Sequence, residues 1–336
     1  MKKRLLGKIE VTEIGVGCMG FSHGYGDIPE EAYSIDAIRA AYDFGCEFFD
    51  TAERYGLPLR TEGHNERIVG KAIAPFRDKV VVATKFFFGA NPPETDAGIE
   101  KLVREHLERS LKNLQTTWVD LYYLHRVHPK VPVEKTAAVM AKLIKEGLIR
   151  GWGLSQVEVD TISKAHEVAP LSAVQNLYNM LERDCEKAVI PYCLENGIGL
   201  VPFSPVCSGF LSGKVTAATN FNHVDDVRKY VPQLSKENMA ANQPILDLVV
   251  EYAEKKNATP AQISIAWALK KYPNVVPIPG SKNKERILEN LGASEVNLTD
   301  DEFRTLEARL EALPIGGRRG IVEFEGSKIS DWGKNK

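Results

Sequence analysis

The chain has 336 residues, of which 43% are hydrophobic and 26% charged, with a formal net charge of −2 and a pI near 6.4. This composition is typical of a packed globular protein and excludes a disordered or fibrous chain. Because there is no bulk positive charge, nucleic acid and anionic membranes are not expected as partners. No uncharged apolar run reaches the roughly 20 residues of a membrane helix, so we expect a soluble protein.

The five cysteines are an odd number without Cys-x-x-Cys spacing, which argues against a disulfide framework and against a structural zinc site. Lys2, Lys3 and Arg4 could open a signal peptide, but charged residues soon interrupt the apolar run that would have to follow. We therefore expect the protein in the reducing environment of the cytoplasm.

Short β-type segments alternate with longer helical patterns along the whole chain. A hairpin is predicted at residues 5–11. The predicted strands are residues 14–18, 47–50, 80–86, 119–124, 149–154, 173–176, 199–203 and 275–278. The predicted helices are residues 35–44, 65–74, 99–114, 133–146, 157–166, 184–196, 260–271, 284–291 and 300–312.

Eight strands, most of them followed by a helix, favour a closed (β/α)8 TIM barrel, because closure repeats this unit without leaving a sheet edge. The length fits one barrel domain over residues 1–336, with the hairpin under its floor. Residues 206–242 are polar and lack a clear period, and we predict that they form a lid or loop insertion. Residues 314–336 are expected to form an irregular C-terminal tail.

Four polar residues lie where predicted strands end, and in such a barrel these ends form the rim of the active site. Asp50 ends the second strand, and Tyr55 lies in the loop after it. Lys85 lies near the end of the third strand, and His125 directly follows the fourth. Each alone has an ordinary structural explanation, but together an acid, a phenol, an amine and an imidazole suit proton transfer.

Carbonyl reduction needs a hydride at carbon and a proton at oxygen, and the developing oxyanion must be stabilised. Tyr55 is predicted to donate the proton, with Lys85 lowering its pKa and Asp50 holding the ammonium in place. His125 would orient the substrate oxygen. The hydride must come from a cofactor, because no side chain supplies one.

Over nearly its whole length, the chain resembles members of the aldo-keto reductase superfamily. The matching segments are DTAERYG at 50–56, GHNERIVG at 63–70, ATK at 83–85, SLKNL at 110–114, VDLYYLHR at 119–126, GWGLS at 151–155, VQN at 174–176, GFL at 209–211 and IPGS at 278–281. The resemblance implies a β/α barrel without a Rossmann domain, NADP(H) across the strand ends, and an NADP-dependent oxidoreductase of alcohol dehydrogenase type that reduces aldehydes or ketones.

Phosphate sites in barrels often lie after the seventh and eighth strands, at a helix N-terminus. Lys282 and Arg286 occupy that place and suit a ribose 2′-phosphate. The predicted cofactor contacts are Gly17, Cys18, Met19, Asp50, Ser155, Gln156, Gln175, Phe203, Ser204, Pro205, Gly209, Leu211, Lys214, Ile278, Gly280, Ser281, Lys282, Arg286, Glu289 and Asn290. Gln156, Phe203 and residues 206–208 depart from the pattern usual in the family.

Three other interpretations remain open. Gly15, Gly17 and Gly20 have the Gly-x-Gly-x-x-Gly spacing of a Rossmann domain, although no helix is predicted directly after them. His125 and His128 could belong to a metal-dependent hydrolase, but no further ligands are apparent, and we predict no metal. The family also resembles the β subunits of potassium channels, so a cofactor-sensing regulatory subunit is the main alternative. The sequence leaves the substrate and the oligomeric state undetermined.

Overall fold

The computed structural model describes residues 1–321, so residues 322–336 of the predicted tail lie outside the described residues. The strands within that range are β1 Lys3–Leu6, β2 Ile9–Thr12, β3 Val16–Gly17, β4 Phe48–Asp50, β5 Val81–Phe86, β6 Val119–Leu124, β7 Ile149–Ser155, β8 Ala173–Gln175 and β9 Gly199–Leu200. The α-helices are α1 Glu31–Asp43, α2 His64–Ile73, α3 Asp96–Leu114, α4 Val133–Lys145, α5 Val159–Val168, α6 Val189–Glu195, α7 Lys236–Ala241, α8 Gln243–Lys256, α9 Pro260–Lys271, α10 Lys284–Leu291 and α11 Asp300–Glu311.

The predicted N-terminal hairpin is confirmed. Strands β1 and β2 pair antiparallel, with Lys3 opposite Thr12 and Leu6 opposite Ile9. Gly7 makes the turn at a φ of +59°, a left-handed conformation that glycine adopts without strain. Leu6 is fully buried and packs in one cluster with Phe48 of β4, so the hairpin lies against the strands of the main sheet.

Strands β3 to β9 form one curled parallel sheet in chain order, as the alternating pattern predicted. The predicted eighth strand at 275–278 is not a regular strand. It makes only isolated bridges, Val275 to Leu200 and Gly280 to Gly17. The backbone N–H of Val276 donates a hydrogen bond to Leu200 O (2.8 Å), and the N–H of Gly15 donates one to Pro277 O (3.0 Å). The segment therefore contacts both edges of the sheet. Pro277 and Pro279 face β3, where their carbonyls accept from Gly15 and Gly17, and because proline lacks an N–H they return no hydrogen bond to that strand.

Side chains alternate between two packed layers along each strand. In β6, Leu121 and Tyr123 belong to the cluster around the hairpin, whereas Tyr122 and Leu124 belong to the larger cluster that includes residues from the helices. This alternation explains why the strands are apolar runs without polar spacing, since both faces are buried. The exceptions include polar residues at the carboxyl ends of strands, such as Asp50, Lys85 and Gln175.

Most predicted helices are confirmed within a few residues, and three differences have local causes. Helix α3 begins at Asp96 rather than at 99, because the Thr95 side chain accepts the N–H of Gly98 and caps it. The helix predicted at 184–196 is divided into a 3-10 turn, Asp184–Glu186, and α6. The sequence analysis missed α8, although Pro244 in its first turn is a typical start.

No helix among residues 1–321 is both long and apolar enough to cross a membrane.

Candidate active site

The structure brings the four predicted catalytic residues to neighbouring strand ends. Strand β4 pairs with β5, and β5 pairs with β6, so the carboxyl ends of these three strands lie side by side. Two backbone hydrogen bonds hold the loop after β4 against β5: Thr51 N donates to Ala83 O (2.9 Å), and Glu53 N donates to Lys85 O (3.2 Å). These bonds fix the backbone that carries Tyr55.

Asp50, Lys85 and Tyr55 form one hydrogen-bonded group. The Lys85 ammonium, which is fully buried, donates to Asp50 Oδ1 at 2.5 Å and to the Thr51 carbonyl at 2.8 Å. It also lies 3.4 Å from the Tyr55 hydroxyl oxygen. Because Lys85 donates to that oxygen, the phenolic O–H of Tyr55 stays available to a ligand. The second Asp50 oxygen accepts from Gln175 Nε2 at 2.8 Å.

Burial and charge act on this group in opposite directions. Burial raises the pKa of Tyr55, and the Lys85 ammonium offsets only part of that rise. The pKa of Tyr55 is therefore above its ordinary value, although Lys85 acts on it in the predicted direction and lowers it relative to the effect of burial. Burial alone would lower the pKa of Lys85, but the Asp50 carboxylate and Tyr55 outweigh it and raise that pKa. At neutral pH the phenol keeps its proton and the lysine its charge.

His125 lies beside Tyr55 at the rim, and their ring centroids are 5.8 Å apart in an edge-to-face arrangement. Its ring also packs on Phe87, with a centroid distance of 4.3 Å. Burial, reinforced by the charges of Arg126 and Lys85, holds the pKa of His125 well below its usual range. The imidazole is therefore neutral at pH 7, and no protein group among residues 1–321 hydrogen-bonds its buried Nδ1.

A cavity of about 680 Å³ connects these residues with the predicted phosphate site. Tyr55, His125 and Asp50 line it, whereas Lys85 lies beneath the wall. The predicted cofactor residues that line the same cavity are Gly17, Met19, Ser155, Gln175, Phe203, Ser204, Pro205, Gly209, Lys214, Ile278, Gly280, Ser281, Lys282, Arg286, Glu289 and Asn290. This volume suits a cofactor together with a small substrate.

Three predicted cofactor residues are not in the lining. Cys18 is fully buried, and its thiol points to the Val16 carbonyl. Gln156 is buried, with its side-chain carbonyl accepting the Leu177 N–H at 3.0 Å. Leu211 is fully buried in the core. Sequence patterns do not separate residues that face the cavity from neighbouring residues that face the core.

The far end of the cavity is built from charged side chains more than from free backbone donors. The Arg286 N–H is bonded to Asn283 Oδ1 at 2.9 Å, and the Lys284 N–H to Tyr33 Oη at 3.0 Å. These two backbone N–H groups at the start of the helix are therefore already bonded within the protein. An anion here would be held mainly by the side chains of Lys282 and Arg286.

Sequence reasoning missed several polar residues of the wall. Arg54, Arg126 and Arg319 line the cavity, as do His23 and Ser208. Arg126 could have been found, because it directly follows His125 in the segment VDLYYLHR. Arg319 lies in the tail, where no pattern pointed to the cavity.

Residues from the predicted lid segment, 206–242, line the cavity and contact the loop after β3. Asp225 Oδ2 accepts the Gly24 N–H at 3.0 Å, and its Oδ1 lies 2.7 Å from His23 Nδ1. The segment is not free of structure, since it contains α7 and the 3-10 turns Cys207–Ser212, Val227–Tyr230 and Pro232–Leu234. Burial raises the pKa of Cys207 to about 12, which makes this thiol unreactive.

Two of the alternative interpretations lose their structural basis. The glycines 15, 17 and 20 lead into a short 3-10 turn, Cys18–Phe21, and α1 begins only at Glu31, whereas a Rossmann motif opens a helix at once. His128 packs against the Phe88 ring and accepts the Lys130 N–H at 3.2 Å, and it does not line the cavity.

The comparisons with known proteins agree with this geometry. The model of the Aldo/keto reductase family matches residues 13–311. A probable aldo-keto reductase 1 from Glycine max is 37% identical over 326 residues, covering 96% of this chain and 91% of that protein.

Two solved structures share the fold. The glycerol dehydrogenase AKR11B4 from Gluconobacter oxydans is 27% identical with a TM-score of 0.78, covering 93% of this chain and 97% of the other. An aldo/keto reductase from Klebsiella pneumoniae, solved with NADP and acetate, is 24% identical with a TM-score of 0.71, covering 96% and 98%. With a matching family model over most of its length and a relative of this identity, the chain belongs to the aldo/keto reductase family.

Proposed function

We propose that the protein is an NADP(H)-dependent reductase of aldehydes or ketones. The observation that most supports this function is that Tyr55, Lys85, Asp50 and His125 lie together at one end of a cavity. Lys282 and Arg286 line the other end of the same cavity. When bound, the cofactor supplies the hydride.

The chain's own residues would handle the proton. Tyr55 gives its proton to the substrate oxygen, and the Lys85 ammonium, 3.4 Å from the phenolic oxygen, stabilises the phenolate that results. Asp50 keeps Lys85 charged and in place. His125, which is neutral and lines the cavity, would donate a ring N–H to the same substrate oxygen and orient it.

The residues of the cavity fit the cofactor at both ends. Ser155 and Gln175 present polar side chains near Tyr55 that suit a carboxamide, and Phe203 presents an aromatic face for the nicotinamide ring. Lys282 and Arg286 suit the 2′-phosphate that distinguishes NADPH from NADH.

We also propose that residues 1–336 form one domain and that residues 274–280 act as the eighth strand of a closed barrel. Their bonds to both edges of the sheet support this assignment. Residues 206–242 would cover the cofactor, supported by the contacts of Asp225 with His23 and Gly24.

The test is NADPH oxidation measured with a panel of aldehydes, ketones, quinones and sugars, together with NADPH binding by fluorescence. We expect turnover of several aldehydes. Tight NADPH binding with no turnover across the panel would favour the cofactor-sensing subunit. Failure to bind NADPH at all would contradict the proposal itself.

A further inference from the structure

Glu53 is a buried acid in the loop that carries Tyr55, and the proton transfer described above does not involve it. The residue is 3% exposed and lies two positions before Tyr55 in the chain. It is not among the residues that line the cavity. Because a buried carboxylate is costly unless hydrogen bonds compensate it, the bonds of Glu53 indicate which parts of the site it holds in place.

The backbone of Glu53 begins to continue the pairing of β4 with β5. Asp50 lies opposite Ala83, and extending this register by three residues places Glu53 opposite Phe86. In a parallel ladder such a residue donates its N–H to the residue before its partner and accepts an N–H from the residue after it. The first of these bonds is present, since Glu53 N donates to Lys85 O at 3.2 Å. The loop is therefore still held to β5 at this position.

In the second bond, the side chain of Glu53 replaces its own carbonyl as the acceptor. The N–H of Phe87 donates to Glu53 Oε1 at 2.9 Å, whereas the Glu53 carbonyl accepts from Gly63 N at 2.6 Å. The main chain can therefore turn away from the sheet after Glu53 without leaving the Phe87 N–H unsatisfied. Tyr55 follows this turn, and its carbonyl accepts from Asn65 N at 3.1 Å.

The other carboxylate oxygen of Glu53 is held by helix α3. His106 Nδ1 lies 2.6 Å from Glu53 Oε2, and the His106 ring packs near Phe86 with a centroid distance of 6.0 Å. A carboxylate that is bonded through both oxygens keeps one orientation. Helix α3 therefore fixes the Glu53 side chain, and through it the backbone just after β5.

Phe87, which donates its N–H to Glu53, is part of the cavity rim. Its ring lines the cavity and packs against His125 with a centroid distance of 4.3 Å. Glu53 is thus connected to both groups that would meet the substrate oxygen. Its main chain leads to Tyr55, and its carboxylate holds the residue on which His125 packs.

We propose that Glu53, oriented by His106, is a positioning residue that holds Tyr55 and His125 in the geometry of proton transfer. This inference rests on the proposed reductase function, because it assigns the two residues a part in that reaction. A displacement of about 1 Å at a reacting group can cost about 100-fold in rate, so we expect the effect in turnover and not in ligand binding.

Two variants of Glu53 separate position from charge. Glu53→Ala should lower kcat and the single-turnover rate about 10- to 100-fold with NADPH and an aldehyde, while KM and the Kd for NADPH change less than about threefold. Glu53→Gln keeps an oxygen for the Phe87 N–H and offers an amide that His106 can accept in its other tautomer, so it should retain most of the rate. Equal losses in the two variants would show that the negative charge matters and would overturn the inference.

Glu66→Ala is the matched control. Glu66 is a fully buried acid on α2 whose carboxylate accepts from Thr84 Oγ1 at 2.7 Å and from Asn113 Nδ2 at 2.9 Å. It reaches β5 and α3, as Glu53 does, but its bonds go to side chains and not to the main chain at the rim. Urea denaturation should show a loss of stability in both alanine variants, with a rate close to that of the wild type in Glu66→Ala alone. An equal fall in rate in both would reduce Glu53 to a stabilising role and contradict the inference.

Variants of His106 test the second contact. His106→Ala frees one oxygen of Glu53 and should lower the rate less than Glu53→Ala does. His106→Asn places an amide close to the position of Nδ1 and should restore most of that loss. Adding His106→Ala to Glu53→Ala should cost little further rate, because the two side chains act as one unit. Fully additive losses would show that His106 does not act through Glu53.

Hydrogen exchange followed by mass spectrometry provides a measurement that needs no turnover. In the protein without ligand, Glu53→Ala should increase exchange in peptides covering residues 51–65 and 85–89, whereas Glu66→Ala should leave these peptides near the wild-type level. Unchanged exchange in Glu53→Ala would refute the positioning role whether or not the protein reduces a carbonyl. Increased exchange in a protein that reduces no carbonyl would support the hold of Glu53 on the loop while the reductase proposal fails.

Discussion

The two ends of the cavity differ in how deeply their charged side chains are buried. At the catalytic end, Asp50 is 2% exposed, Lys85 is fully buried, and short hydrogen bonds hold both. At the other end, Arg286 is exposed and Lys282 is half-buried. The first arrangement is preorganised, because its charges are desolvated and fixed before any ligand arrives. The second acts through charged side chains that remain partly or largely in contact with water.

This difference in burial indicates which property of the protein each end of the cavity controls. Changes at the buried end should alter turnover and stability together, since the same bonds orient the reacting groups and compensate buried charge. Changes at the exposed end should alter cofactor affinity and selectivity, with little effect on stability.

Lys85→Met should cause the largest loss. It leaves the Asp50 carboxylate buried without its ammonium partner, so we expect the free energy of unfolding to fall by about 3–5 kcal/mol and kcat to fall at least about 100-fold. Urea denaturation and steady-state kinetics measure the two effects. Lys71→Met breaks the exposed pair with Glu31 and should cost at most about 1 kcal/mol. The double variant Asp50→Asn with Lys85→Met should recover part of the stability; equal costs for the two lysine variants would contradict the contrast.

Tyr55→Phe should separate catalysis from binding. The change removes one hydroxyl oxygen, so we expect kcat to fall about 100- to 10,000-fold while the Kd for NADPH changes less than about threefold. Single-turnover kinetics and fluorescence titration measure these quantities. Turnover equal to that of the wild type would mean that another group supplies the proton.

Arg286→Gln should affect the exposed end alone. Losing one charged contact to the 2′-phosphate should weaken NADPH binding about tenfold and leave NADH binding nearly unchanged. Lys284→Gln is the matched control on the same helix, because Lys284 pairs with Asp36 and does not line the cavity. A similar loss for NADH would show that Arg286 does not recognise the 2′-phosphate.

The smallest effect concerns the pH dependence of stability. Because the pKa of His125 lies well below its usual range in the fold, the unfolded chain takes up a proton near pH 6.5 that the folded protein does not. His125 therefore makes stability fall as the pH drops below about 6.5, by up to about 1.4 kcal/mol per pH unit.

Urea denaturation at about pH 7.5 and about pH 5.5 should show a smaller acid loss in His125→Asn than in the wild type. His64 and His166 also have lowered pKa values, but both proteins retain them, so their contributions cancel. An identical acid loss in the two proteins would mean that His125 is readily protonated in the fold.

Local patterns were enough for the sheet order, most helices and the placement of polar residues at the strand ends. Strand residues such as Leu121 to Leu124 are apolar in an unbroken run because both faces are buried, and a polar residue that follows such a run lies at the rim. Asp50, Lys85 and His125 were predictable for that reason. Pro277 and Pro279 are also visible in the sequence, but the effect of their missing N–H groups on strand pairing depends on which edge of the sheet these positions face.

Other features depend on contacts between residues far apart in the chain. The net pKa of Tyr55 is the balance of a burial that the sequence does not specify and a distance to Lys85 that only packing sets. The same holds for the place of Arg319 in the cavity wall, because its backbone N–H is bonded to Glu182, which lies 137 residues earlier in the chain.

The amino-acid sequence by itself thus determined the repeating βα order and the chemistry available at the strand ends, because periodicity and residue type are local. Tertiary structure alone decided which charges are compensated and which face the ligand. Desolvation and Coulomb energy depend on distances through space, and spacing along the chain does not encode those distances.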